Sequence, residues 1–285
     1  MNSRLIDWLR LLRAGALFSP AADVVAGLAL ADLPWSLDAV RCCVASVFLY
    51  GAGMVLNDHA DRAIDRRLRP ERPIPAGRIR PGAAFWTGVA MFLLAVLLSP
   101  RWPVHLGMAL AIVAYDYGSK RFVLGGVLVM GALRATNLLS GVLALTGTFP
   151  EHGPLRIAAF CYFVYIAAVT VLGIFEDQPP SHPRPVRAIL TAPPFAAVVA
   201  LSSTGHGWLA GIPGALLALL FLRRLAERDR RWDALAIRRS MLWLLLGTML
   251  FDALLCVGSS RPIEATAIAV AAVVARRVAR RIAPT

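Results

Sequence analysis

Cysteine is scarce. Cys42, Cys43, Cys161 and Cys256 are the only four in 285 residues, all inside apolar segments and without CxxC spacing. That excludes a disulfide framework and a thiolate zinc site. Charge is also sparse, at 16% of residues against a hydrophobic share of 58% and a mean hydropathy of +0.64, which excludes a soluble domain of this length. Acids are in shortest supply: 17 Asp and Glu face 30 Lys and Arg, a net charge of +13. Such an excess suits nucleic acid, but the basic residues sit in short loops between apolar runs. Membrane orientation therefore accounts for them, and no nucleic-acid partner is expected. No internal repeat or low-complexity tract divides the chain, so residues 1–285 read as a single transmembrane domain.

What the sequence does contain is ten apolar runs, near 14–31, 39–56, 82–99, 103–118, 123–146, 154–175, 186–203, 207–222, 240–257 and 262–279. Their lengths suit helices crossing a hydrocarbon layer of about 30 Å, several near the lower limit. The expected fold is an all-α polytopic transmembrane bundle of nine to ten helices. Ala29-Leu30-Ala31 imitates a signal-peptidase site, but its run contains Asp23 and continues the pattern of those that follow, so it reads as a span. With alternate loops on one side, 25 of the 30 Lys and Arg share a compartment, while Arg41, Arg101, Arg156 and Arg261 lie opposite. By the positive-inside rule both termini and the loop after the second run are cytoplasmic, in the cell inner membrane.

That loop holds the densest charge in the chain, Asn57-Asp58-His59-Ala60-Asp61 through Arg80. If Asn57 to Arg67 is helical, Asp58, Asp61 and Asp65 fall within about 60° of one another around the axis. Like charges one turn apart want a cation, and oxygen ligands suit Mg²⁺, which is commonly held by one or two carboxylates plus substrate phosphates. Arg66, Arg67, Arg69, Arg72, Arg78 and Arg80 follow, with planar forks that match phosphate oxygens. Carboxylates, metal and guanidinium together describe a diphosphate site.

Within the apolar runs, charge is costly and marks an interior position. Asp23 in the first run and Arg134 in the fifth are of this kind, and Arg134, Asn137 and Gly141 lie along one helical face. Arg134 has two available partners, Asp23 or a substrate.

The pattern NDxxDxxxD at Asn57, Asp58, Asp61 and Asp65, followed by RPERPIPAG from Arg69 to Gly77, resembles the first signature of the UbiA-type intramembrane prenyltransferase superfamily. Tyr115 and Lys120-Arg121, before the fifth run, are similar to its second basic contact. The stretches AADVVAG, RATNLLSG and IRRSMLWLLLGTMLFDALL, the last containing Asp252, look like its EboC-like branch. The resemblance implies Mg²⁺ on Asp58, Asp61 and Asp65, with Lys120 alongside them in catalysis. It places Asn57, Arg66, Arg72, Tyr115 and Arg121 against substrate, and the interior Asp23, Arg134 and Asn137 are further candidate substrate contacts by their place within apolar runs. It also calls for a second acidic pair about one helical turn apart. This chain has the adjacent Glu176 and Asp177 instead, about 100° apart on a helix that Pro179 and Pro180 would end, with His182 a weaker candidate. Glu176 and Asp177 are retained as candidate metal ligands at a degenerate motif. The activity implied is Mg²⁺-dependent transfer of a prenyl group from an isoprenyl diphosphate to a small aromatic or otherwise cyclic acceptor at a membrane-embedded site among lipid. The alternative is a non-catalytic carrier or lipid-phosphate-binding protein that keeps only the first motif.

Overall fold

The computed structural model describes residues 3–151, 153–177, 184–228 and 232–282. Each of the ten apolar runs is a helix: α2 (Phe18–Leu30), α3 (Leu37–Ala60), α5 (Pro81–Leu98), α6 (Trp102–Tyr117), α7 (Val123–Thr146), α8 (Gly153–Asp177), α9 (Arg184–Ser202), α10 (Gly207–Arg228), α11 (Ala234–Gly258) and α12 (Pro262–Ile282). Two short helices, α1 (Ser3–Leu11) and α4 (Arg62–Leu68), lie outside those runs. Among the described residues six helices are long and apolar enough to cross a membrane, and α1 with α2 makes a further apolar pair bent by 48°, the form of a broken span or a re-entrant loop. The protein is an integral membrane protein.

Local chemistry fixes the helix ends. Ser36 accepts a hydrogen bond from the Ala39 amide at 3.1 Å and Asp233 one from Ala236 at 2.7 Å, starting α3 and α11. Proline at the first positions of α5 and α6 fills sites where an amide would lack a partner. Gly147, at φ +76, closes α7 in the left-handed region.

Between lipid-exposed helices apolar burial supplies little drive, so close approach of small residues matters. α2 and α7 meet at Gly27, where an added Cβ would lie 1.8 Å from the Leu138 carbonyl oxygen, and at Gly141, which faces Val24 and Leu28. The main buried cluster forms around this contact, with Val24, Leu138, Leu155 and Tyr162 fully or almost fully enclosed. Large apolar side chains such as Leu97 and Ile263 point outward, at 75% and 81% exposure, as a lipid-facing surface requires. At the bend, Arg13 adopts φ +49, and Gly15 in the adjoining turn (Ala14–Ala16) brings the chain against Ala275 and Ala279 of α12. These two contacts position the walls of the site.

Candidate active site

The single helix expected over Asn57–Arg67 is interrupted at Asp61, which ends α3 and begins α4. The ladder almost continues, with Asp61 N–H bonded to Asn57 C=O at 2.9 Å and Asp65 N–H to Asp61 C=O at 2.8 Å, so the three acids stay near one side. They do not converge on one point. Asp58 and Asp65, 5% and 0% exposed, are bridged by Arg72, whose Nη1 lies 3.1 Å from Asp58 Oδ1 and 2.7 Å from Asp65 Oδ2. Asp61 pairs with Lys120 instead, at 2.7 Å. Arg13 Nη2 stands 3.5 Å from Asp58, and Arg69 Nη1 3.5 Å from Asp65.

The segment after α4 folds back to deliver Arg72. Arg69 and Arg72 carbonyls accept from Arg72 and Ala76 amides, and Gly77 turns the chain at φ +72. Ile74 and Ile79 bury against Leu11 and Val55, and Arg78 Nε donates to Asp7 at 2.9 Å. The arginine-rich loop is thus anchored over the acids rather than free in solvent. Across from it, α6 ends at Tyr117, and a short turn (Ser119–Arg121) presents Lys120. Asn57 Nδ2 donates to Asp116 Oδ1 at 2.9 Å, while Asp116 Oδ2 is buried without a donor.

Behind this cluster lie two adjoining cavities, of about 210 and 1070 Å³, which share Arg13, Tyr50, Met54, Tyr115, Met130 and Arg134 in their walls. Asn57, Asp116 and Asn137 line the smaller; Lys120 lines the larger. Arg134 is tied to Asp23 at 3.0 Å and donates to Ser19 and to the Tyr162 hydroxyl at 2.6 and 3.1 Å. Asn137 donates to Asp23 Oδ2 at 2.7 Å and accepts from Ser46. Asp252 on α11 is buried beside Asp23 and Tyr162. Of the two partners open to Arg134 in the sequence, the structure has it on Asp23, with one edge still facing both cavities.

Other expected site residues lie apart. Arg66 and Arg121 are exposed and line neither cavity. Glu176 forms an ion pair with Arg238 of α11 at 2.7 Å rather than joining the first motif. The Asp177 side chain and all of His182 lie outside the described residues. Arg13, by contrast, carries no sequence signal beyond its place in a basic tail, yet it reaches Asp58 and both cavities.

For Mg²⁺ the donor chemistry fits: Asp58, Asp61, Asp65 and Asp116 offer only hard oxygens, and Asp116 Oδ2 has a spare buried lone pair. Among the described residues no three acids or histidines form a preformed metal cage. The fit is to an ion held by one or two carboxylates together with ligand oxygens.

The match to known proteins agrees with this layout. Residues 20–178 match the model of the UbiA prenyltransferase family, more than half the chain. The chain belongs to the UbiA prenyltransferase family. A digeranylgeranylglyceryl phosphate synthase from Methanospirillum hungatei is 27% identical over 265 residues, covering 88% of this chain and 86% of that protein. One of the same name from Methanoregula boonei is 31% identical over 233 residues, 72% and 83% of the two chains. The structure of a UbiA homolog from Archaeoglobus fulgidus, bound to GPP and Mg²⁺, superposes with a TM-score of 0.67 over 90% of this chain and 99% of its own, at 14% identity. This UbiA family member is therefore a membrane prenyltransferase, with the helical bundle of its family.

Proposed function

We propose that the protein transfers a prenyl group from an isoprenyl diphosphate to the hydroxyl of a glycerophosphate lipid, at a site open to the cytoplasmic side. The observation that carries this reading is the pairing of each motif acid with a cation, Asp58 and Asp65 with Arg72 and Asp61 with Lys120, beside a largely apolar chamber that Lys120 and Arg13 line although the acids and Arg72 do not. When bound, Mg²⁺ on Asp58, Asp61 or Asp65 would supply Lewis-acid stabilisation of diphosphate oxygens. As ligand oxygens enter, Arg72, Lys120 and Arg13 are released from the carboxylates and turn to the diphosphate, whose charge grows as the C–O bond to the allylic carbon breaks. Tyr115 lines both cavities at that junction and presents its ring and hydroxyl to the ligand. Met54, Met130 and Val127 exclude water from the allylic cation until the acceptor hydroxyl oxygen attacks it, its proton passing to the released diphosphate as the ether forms.

The glycerophosphate acceptor replaces the aromatic or cyclic one that the sequence resemblance implies. Support for the change comes from the relatives above, whose names carry a glyceryl phosphate product. The test is to incubate purified protein with Mg²⁺, geranylgeranyl diphosphate and either a prenylated glycerol phosphate or a phenolic acceptor, and to identify products by mass spectrometry. An ether of the glycerol phosphate is expected. Ring prenylation alone would return the acceptor to the aromatic class, and binding without product would favour a carrier.

A further inference from the structure

The wall of the larger cavity carries five cations, Arg13, Lys120, Arg134, Arg276 and Arg280, and no acid among the described residues. Three are neutralised where they stand, by Asp58, Asp61 and Asp23. Arg276 and Arg280 of α12, both with exposed side chains, have no carboxylate partner among the described residues, so two uncompensated positive charges border the chamber. They are four residues apart, hence neighbours on one helix face. The Arg276 guanidinium lies over the Trp243 ring, 5.4 Å from its centroid, which holds it in place without neutralising it. The end of α12 is itself fixed: Gly15 admits Ala275 and Ala279 at close range, and Arg10 Nε donates to the Ile282 carbonyl at 2.8 Å. Neither arginine belongs to the aspartate motif or to the loop that delivers Arg72.

We infer that Arg276 and Arg280 form a second anion site, distinct from the diphosphate cluster, that binds the phosphate monoester of the acceptor lipid. A paired fork suits a doubly charged phosphate, and the apolar residues that line the chamber suit the acceptor's chain. The assignment rests on the proposed glycerophosphate reading and deepens it, giving the acceptor headgroup its own residues. The same chemistry would also hold phosphate headgroups of the bilayer, so the test separates the two sources.

The experiment compares wild type with Arg276→Gln/Arg280→Gln in nanodiscs of neutral lipid. Two acceptors are used, a glycerol phosphate bearing one prenyl chain and its dephosphorylated alcohol. In the double variant, KM for the phosphate acceptor is expected to rise about tenfold or more, the scale of losing charge-assisted hydrogen bonds. KM for the prenyl diphosphate, kcat and the handling of the alcohol should stay near wild type. Equilibrium binding of the phosphate acceptor without prenyl diphosphate should weaken by the same factor, which keeps the site testable even if no transfer occurs. A wild type that binds the acceptor but yields no product defeats the transfer reading and spares the site. Unchanged acceptor affinity overturns the site. So does an equal loss of prenyl diphosphate binding, which would merge the two clusters. An effect that appears only when anionic phospholipid is added assigns the arginines to the bilayer and overturns it as well.

Discussion

At the scale of single residues, the site is a set of matched charges rather than a row of free ligands. Asp23 and Arg134 show the energetic rule most clearly, since Asp23 is fully buried, the Arg134 side chain is only 12% exposed, and the two form an ion pair. Removing one leaves an uncompensated charge in an apolar interior, at a cost of about 3–5 kcal/mol. Asp23→Leu is therefore expected to lower the thermal midpoint in detergent far more than the Asp23→Leu/Arg134→Met double replacement, which removes both charges. Equal losses in the single and double variants would show that the pair is not coupled. The sequence displayed both residues and left their relation open, because an intramembrane charge advertises its burial and not its partner. Arg13 was not legible at all: its contact with Asp58 depends on a left-handed backbone and a bend between α1 and α2, which no spacing rule encodes.

Among the elements, helix positions were the most readable feature, since each apolar run became a helix, most of them bounded by proline, glycine or a capping side chain. The turn at Asp61 was less so. Nothing between Asn57 and Arg67 breaks a helix locally, and the interruption at Asp61 coincides with Lys120 and Arg72 drawing Asp61 and Asp65 to different partners. The degenerate second motif was visible as an adjacent acid pair, but the capture of Glu176 by Arg238 required the end of α8 to meet α11. The α2–α7 contact was likewise hidden, although Gly27 and Gly141 stood in the sequence. Because a Cβ at Gly27 would strike backbone rather than a movable side chain, Gly27→Ala is expected to destabilise by about 1–3 kcal/mol as the helices part. A thermal unfolding scan checks it, and an unchanged midpoint would mean that the two helices separate at no cost.

For the molecule as a whole, the bundle joins two cavities behind one charged cluster, and the larger is lined both by cations paired with acids and by Arg276 and Arg280. Composition and charge asymmetry revealed a membrane bundle and its expected orientation. Cavity size and the placing of Arg276 and Arg280 on its wall arise from packing among α7, α8, α11 and α12, which apolar runs do not resolve. The central claim is that a prenyl diphosphate docks with Mg²⁺ at the acid and cation cluster, displacing Lys120 from Asp61. Lys120 is the only lysine in the chain, so its modification by an amine-reactive reagent can be followed on one peptide. Mg²⁺ with a slowly reacting prenyl diphosphate analogue is expected to protect Lys120, with protection lost when Mg²⁺ is chelated and in Asp58→Asn/Asp65→Asn. Labelling of Lys120 at the same rate with and without that ligand and metal would contradict the account.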